Sequence, residues 1–181
     1  KKNTFVEKIR ISVYNKKTKE KSKLFFKERA EMTSMKDIIL ASASPRRYEL
    51  LKQIGLKFEV IPSDTNEDVD LAHTPGDVVK ELAHKKALSV AKMLNRQCPG
   101  RNALVIGADT IVVKDGILGK PENKHCAYEM LKTLGGKWHD VITGVSVVDS
   151  CSLQSVTDYE KTRVKMRELD DRIIRNYIST G

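Results

Sequence analysis

The sequence predicts an α/β domain, with helices packed on a β-sheet, over residues 37–181. Two observations predict it. Short apolar runs typical of buried strands alternate with longer segments that have helical periodicity. In addition, 40% of the 181 residues are hydrophobic and 31% are charged, which suffices for a core and excludes a wholly disordered chain. No run of about 18 apolar residues occurs, so we expect no membrane span.

Helix starts give the clearest local signals. Ser44 and Thr74 are favoured N-cap residues, and each precedes a proline, whose missing N–H would be unpaired at the first helical position anyway. Gly55 and Gly135 end two of the helices, and residues 114–116 form a predicted turn. The expected order is strand 38–41, helix 45–54, strand 58–61, helix 75–95, apolar segment 103–113, helix 122–134, β-segments 141–148 and 156–166, and helix 169–178.

The net charge of +9 belongs to the N-terminal tail. Residues 1–36 carry twelve basic and four acidic groups, whereas the rest of the chain is nearly neutral. A Lys-rich, low-complexity stretch of this kind usually stays solvated, so we expect residues 1–36 to be disordered. Binding of this tail to RNA or to a membrane surface is a less favoured alternative. The tail lacks the interleaving of aromatic with basic residues that a base-stacking surface has, and we expect neither a nucleic-acid nor a membrane partner.

The three cysteines give no metal-ligand or disulfide pattern. Their number and wide spacing favour a reducing compartment, and we expect a cytoplasmic protein.

An anion site is predicted where the first strand runs into the first helix. Free N–H groups and the helix dipole favour an anion there, and Arg46 and Arg47 would add planar donor groups suited to phosphate. The alternative is that both arginines are merely solvated.

A carboxylate interrupts the most apolar segment of the chain. Asp109 follows Gly107 and Ala108 within residues 103–113. Because burying an unpaired carboxylate is costly, we expect Asp109 either at a strand end in a cleft or in a turn. Near phosphates it could hold Mg²⁺, or position and deprotonate a water molecule.

Two lysines and an acidic loop complete the candidates. Lys86 falls inside the apolar stripe of helix 75–95, where it must either extend to solvent or meet an anion. Lys120 precedes a proline, which favours an extended backbone, and could point to the same cleft or be an ordinary loop lysine. Glu67 lies in an acidic loop and is either solvated or a second carboxylate near a metal.

Several ordered segments carry a resemblance to a known family. They are LASASPRR at 40–47, ELL at 49–51, ELAHKKA at 81–87, IGADTIV at 106–112, GKP at 119–121 and VITGV at 141–145. Together they resemble the Maf family of septum-formation-inhibitor-like nucleotide pyrophosphatases. The resemblance implies a Maf/ITPase-like fold with a mixed, twisted sheet flanked by helices. It also implies metal-dependent hydrolysis of nucleoside triphosphates to monophosphate and pyrophosphate, with Mg²⁺ or Mn²⁺, by a homodimer.

The resemblance implies roles for individual residues. Asp109 resembles the proton acceptor and, with Glu67, would hold the metal. Arg46 and Thr110 match positions that influence substrate choice. The polar residues that match the family's substrate site are Ser42, Arg46, Glu67, Lys86 and Lys120, to which the charge argument adds Arg47 for phosphate.

The motifs are similar to the branch of the family that acts on dTTP and UTP. Modified pyrimidine nucleotides are plausible further substrates, whereas the 7-methyl-GTP branch has different residues at these motifs. Family sequences continue past the position of Gly181 with a substrate-selecting glutamine, so we expect a domain that is incomplete at its C-terminus. A nucleotide-binding regulator of septum formation, with weak or lost catalysis, is the alternative function.

Overall fold

The computed structural model describes residues 36–65 and 73–180. Residues 1–35 of the tail and Glu67 lie outside these ranges, so the predictions for them stay predictions. Strands and helices alternate as the sequence predicts. They are β1 (Asp37–Leu40), α1 (Pro45–Gln53), β2 (Glu59–Val60), α2 (Pro75–Gln97), β3 (Ala103–Val113), β4 (Ile117–Leu118), α3 (Lys124–Leu134), β5 (Trp138–Asp149), β6 (Ser155–Lys165) and α4 (Asp171–Ser179).

The strands form one mixed sheet in the order β2-β1-β3-β5-β6, with β4 also paired to β3. β1 runs parallel to β2 and β3, and the remaining pairs are antiparallel. The mixed sheet flanked by helices is therefore confirmed.

The strand-end or turn position expected for Asp109 is wrong. β3 continues through Gly107, Ala108 and Asp109 without a break, and all three residues are buried. The strand tolerates the carboxylate because Lys86 reaches it from α2. The attraction between the paired charges offsets much of the desolvation cost that argued against a mid-strand position.

Two glycines set the distance between α2 and the sheet. A Cβ atom on Gly107 would lie 2.3 Å from the carbonyl oxygen of Ala83, and one on Gly144 would lie 2.3 Å from that of Val79. Both contacts are with helix backbone, which cannot move aside as a flexible side chain can. Glycine at these strand positions therefore lets α2 lie directly on β3 and β5.

Packing of α2 on the face of the sheet formed by β3 and β5 forms the core. Two clusters of buried apolar side chains lie along the helix. One contains Ile39, Ala41, Ala87, Val90, Ala91, Leu94, Ala103, Val105 and Val148, and the other contains Val78, Val79, Leu82, Ile111 and Ile142.

Capping differs between the two predicted helix starts. The Thr74 hydroxyl accepts a hydrogen bond from the Asp77 N–H at 3.3 Å, as a cap should. Ser44 occupies the N-cap of α1, but its side chain makes no capping bond. Its backbone N–H instead donates to the hydroxyl of Ser42.

The predicted turn after β3 is confirmed. Asp115 and Gly116 both have positive φ, 55° and 151°. The Lys114 N–H donates to the carbonyl of Gly116, so the chain folds back and β4 pairs with the end of β3.

An ion pair joins the start of β1 to the β5–β6 turn. Lys36 donates to the carboxylate of Asp149, which also accepts from the backbone N–H groups of Cys151 and Ser152. Burial raises the pKa of Asp149, but these three donors outweigh it and hold the pKa at about 2. No helix in the described ranges is long and apolar enough to cross a membrane.

Candidate active site

The edge of β3 that faces β1 is interrupted. β1 pairs with it up to Ile106, and β4 pairs with it from Val112 onward. Residues 107–111 between them have no strand partner on this edge within the described ranges, and we call this gap the notch. β1 and β4 run in opposite directions and each ends beside the notch, so the segment that follows each strand enters the notch. The loop at Ser42 arrives from one end and the segment leading to Lys120 from the other.

A buried ion pair lies at the notch. The Lys86 Nζ donates to Asp109 Oδ1 at 2.5 Å, and each residue is 8% exposed. Lys86 thus meets an anion, which was one of its two predicted outcomes. Asp109 faces α2 because it shares a face of β3 with Gly107, two residues away. Lys86 lies on a helix and Asp109 on a strand, so the position of the carboxylate is fixed.

Ser42 and Arg47 form the second group. Ser42 is buried two residues after the end of β1, and the Arg47 Nη1 donates to its hydroxyl at 2.9 Å. The N-terminus of α1 lies between them in sequence, so its free N–H groups belong to the same loop. This combination of helix terminus and guanidinium suits a phosphate.

The other predicted site residues are more separate. Arg46 is exposed in the first turn of α1, and Lys120 is exposed two residues after β4. Thr110 is exposed on the opposite face of β3 from Asp109, as alternation along a strand requires. The structure therefore brings Lys86 to Asp109 and Arg47 to Ser42, but it does not join Thr110 to the ion pair.

The sequence places Thr143 and Gly144 in the VITGV segment but does not predict that they support the site from β5. Thr143 lies directly opposite Thr110, and their hydroxyl oxygens are 3.0 Å apart. Gly144 lies directly opposite Asp109. Gly107 was readable in the sequence, because a glycine inside an apolar strand is a sign of close backbone approach. The pairing of Thr143 with Thr110 depends on strand register and had no local signal.

The described residues fit a divalent cation only in a limited way. They contain no group of three His, Cys, Asp or Glu side chains that could form a protein cage. Asp109 offers a single carboxylate at the notch, already in contact with Lys86. This suits Mg²⁺ that is carried mainly by phosphate oxygens and water, with one or two carboxylates.

Comparison with known proteins places the chain in a family. Residues 37–181 match the model of the Maf-like protein family. The chain belongs to the Maf-like family. The resemblance found in the motifs is thereby confirmed.

Curated relatives of this Maf-like chain share a name. A dTTP/UTP pyrophosphatase of Acetivibrio thermocellus is 50% identical over 147 residues, which cover 81% of this chain and 74% of the relative. A dTTP/UTP pyrophosphatase of Alkaliphilus metalliredigens is 46% identical, with the same coverage of both chains. Among solved structures, a HAM1 protein from Coxiella burnetii aligns with 72% of this chain and 73% of its own, at 13% identity and a TM-score of 0.45. At 13% identity and a TM-score of 0.45, the structural likeness is weak.

Proposed function

We propose that this Maf-like protein hydrolyses nucleoside triphosphates to the monophosphate and pyrophosphate, with dTTP and UTP as its preferred substrates. The observation that carries the proposal is the buried Lys86–Asp109 pair at the notch, beside a loop with phosphate-binding character. The name shared by relatives up to 50% identical supports the same reaction and the same substrates.

Binding of the triphosphate would use the positive groups around the notch. The N-terminus of α1 and the guanidinium of Arg47 are already oriented on one loop. Arg46 and Lys120 are exposed and can close on the phosphate chain from opposite ends of the notch. Hydrogen-bond donors fixed in advance stabilise the charge that develops as pyrophosphate leaves.

Asp109 would act on the attacking water. One of its oxygens accepts from Lys86, which holds the carboxylate in a single orientation. The other oxygen can accept a hydrogen bond from water and take its proton as the water oxygen bonds to the α-phosphorus. The bond between that phosphorus and the bridging oxygen breaks, pyrophosphate leaves with the bonding electron pair, and the proton passes from Asp109 to solvent.

A divalent cation bound to the phosphates, Mg²⁺ or Mn²⁺, would supply neutralisation of their charge. Asp109 is its described protein ligand in this proposal. Glu67, in the segment before α2, is the second.

The base would be selected at the outer side of the notch. Thr110 is exposed on the face of β3 opposite Asp109 and Arg46 is exposed in the first turn of α1, and in this proposal both offer polar atoms to the edge of a pyrimidine ring. The hydroxyl of Thr143 orients that of Thr110. A homodimer and a cytoplasmic location remain predictions, which sedimentation and cell fractionation would check.

Replacement of the carboxylate tests the reaction. Asp109→Asn keeps the shape of the side chain but removes the proton acceptor, so pyrophosphate release from dTTP and UTP should fall at least about 100-fold. The control is Asp158→Asn, an exposed strand aspartate on β6, which should release pyrophosphate at the normal rate. Equal rates in the two variants would remove Asp109 from the mechanism. Nucleotide binding without any product in the unmodified protein would overturn the proposal as a whole.

A further inference from the structure

A second concave site lies at the far end of the sheet. It encloses about 500 Å³, a volume within the range of small-molecule sites. Its walls come from the end of β3 and the turn after it, the start of β5 and the last part of β6. The lining residues are Val113, Lys114, Asp115, Trp138, His139, Asp140, Lys161 and Arg163. We call it the strand-end pocket.

The strand-end pocket is separate from the notch. Val113 lies four residues beyond Asp109, about 13 Å along β3. Arg163 lies two strands away from β3, across β5, on the side opposite to the notch. Ile111 and Ile142, which lie opposite each other and are buried in the core under α2, separate Asp109 from the pocket, so a nucleotide held at Asp109 by its α-phosphate does not account for the residues of this pocket.

An exposed indole lines the strand-end pocket. Trp138 is 49% exposed, although burying an aromatic ring of this size is normally favourable. The guanidinium carbon of Arg163 lies 5.2 Å from the centre of the ring. The pair joins diagonal neighbours on adjacent strands, because Arg163 is directly opposite Asp140 and Trp138 is two residues away from Asp140.

Charges in the pocket leave Arg163 without an anion. Lys161 pairs with Asp140 at 2.7 Å, and Lys114 pairs with Asp115 at 3.3 Å. Within the described ranges, Arg163 has the indole contact but no hydrogen bond or carboxylate partner. The two acids are thus engaged by the two lysines. The pocket presents one arginine beside an aromatic platform.

We propose that the strand-end pocket binds a free nucleoside phosphate as a second ligand, distinct from the one at the notch. Its base stacks on the exposed surface of Trp138, and its phosphate accepts hydrogen bonds from Arg163, with Lys161 at the rim. Stacking on an aromatic side chain tolerates any base, and a guanidinium can hold two phosphate oxygens at once. The site does not depend on the reaction proposed above.

The chain provides its own reporter for this test, because Trp138 is its single tryptophan. Titration of the full chain with UMP, at an excitation wavelength that the nucleotide does not absorb, should give a saturable change in tryptophan emission. Arg163→Gln should weaken this binding at least tenfold. The matched control is Arg172→Gln, an exposed arginine on α4 that should leave the titration unchanged. No saturable change, or equal affinity in Arg163→Gln, would overturn the proposal.

Further variants and ligands distinguish the strand-end pocket from the notch and from a nucleic-acid surface. Arg47→Gln should weaken nucleotide binding at the notch but leave the Trp138 titration where it was, and a parallel loss in both would assign the signal to the notch. Inorganic phosphate should bind at least tenfold more weakly than UMP, because it cannot stack. If a ten-residue oligouridylate binds and UMP does not, the ligand of the pocket is a nucleic-acid strand, and the proposal of a free nucleotide is overturned. Calorimetry on Trp138→Leu, which removes the platform, should show one fewer UMP bound per chain.

Discussion

The two edges of β3 differ along most of their length. On one edge β5 pairs with ten consecutive residues, from Leu104 to Val113, and β6 continues the ladder. On the other edge β1 and β4 cover only the ends and leave the notch between them. The continuous edge supplies rigidity, and the interrupted edge leaves an opening beside a buried carboxylate that Lys86 holds in place. A reactive group can therefore lie in the middle of a strand when one neighbouring strand stops short of it.

The largest expected effect is on the packing that both edges share. Gly107→Val would force a side chain into the backbone of α2, where even a Cβ is 2.3 Å from the Ala83 oxygen. We expect a loss of about 4 kcal/mol in the free energy of unfolding, measured by urea denaturation. Gly119→Val is the control, since a Cβ there meets no atom within 4 Å. Equal stability of the two variants would mean that α2 does not depend on this glycine.

Lys86→Met would remove the buried partner of Asp109 at the notch. The carboxylate of Asp109 would be left buried without its partner, which should cost about 3 kcal/mol and abolish pyrophosphate release. Lys85→Met is the matched control. Its salt bridge with Glu81 lies on the surface, where such pairs contribute about 1 kcal/mol or less.

A double variant checks that reason. Lys86→Met with Asp109→Asn removes the charge as well as its partner, so unfolding should require more energy than in Lys86→Met alone. A double variant as unstable as the two single losses added together would show that the two side chains act independently.

A substitution beside the continuous edge of β3 should change the free energy of unfolding but not the rate of pyrophosphate release. Because the pKa of Asp149 is about 2, below its ordinary 3.8, its ion pair with Lys36 stabilises the fold above about pH 4 and is lost as the pH falls towards 2. Asp149→Asn should therefore lose about 2 kcal/mol of unfolding free energy at pH 7. Stability curves of the two proteins should converge between pH 4 and pH 2. A constant difference across that range would contradict the pairing.

The smallest effect should come from the hydroxyl pair. Thr143→Val removes the partner of Thr110 but keeps the shape of β5, so stability should change by about 1 kcal/mol or less. The proposed role predicts a change in the ratio of kcat/KM for UTP and CTP, with little change in kcat for UTP. Thr162→Val, on β6, is the control and should leave that ratio unchanged.

The sequence predicted the elements well where the signal was local. The prolines after Ser44 and Thr74 marked two helix starts, and the position of Lys86 in an apolar stripe marked it as unusual. Asp109 was found as a candidate but placed wrongly, because the paired charge that lets a strand continue lies 23 residues earlier in the chain. The opening between β1 and β4 could not be predicted either. It depends on which strands pair and where each pairing stops.

The distance from Ile106, the last residue of β3 paired with β1, to Val112, the first paired with β4, sets the length of the notch. Six steps along a strand measure about 20 Å, roughly the length available to an extended ligand lying along β3. One more pair of β4 residues would shorten that length while leaving every side chain of β3 unchanged. In proteins of this architecture, the size of the molecule admitted can therefore be altered by lengthening a short hairpin.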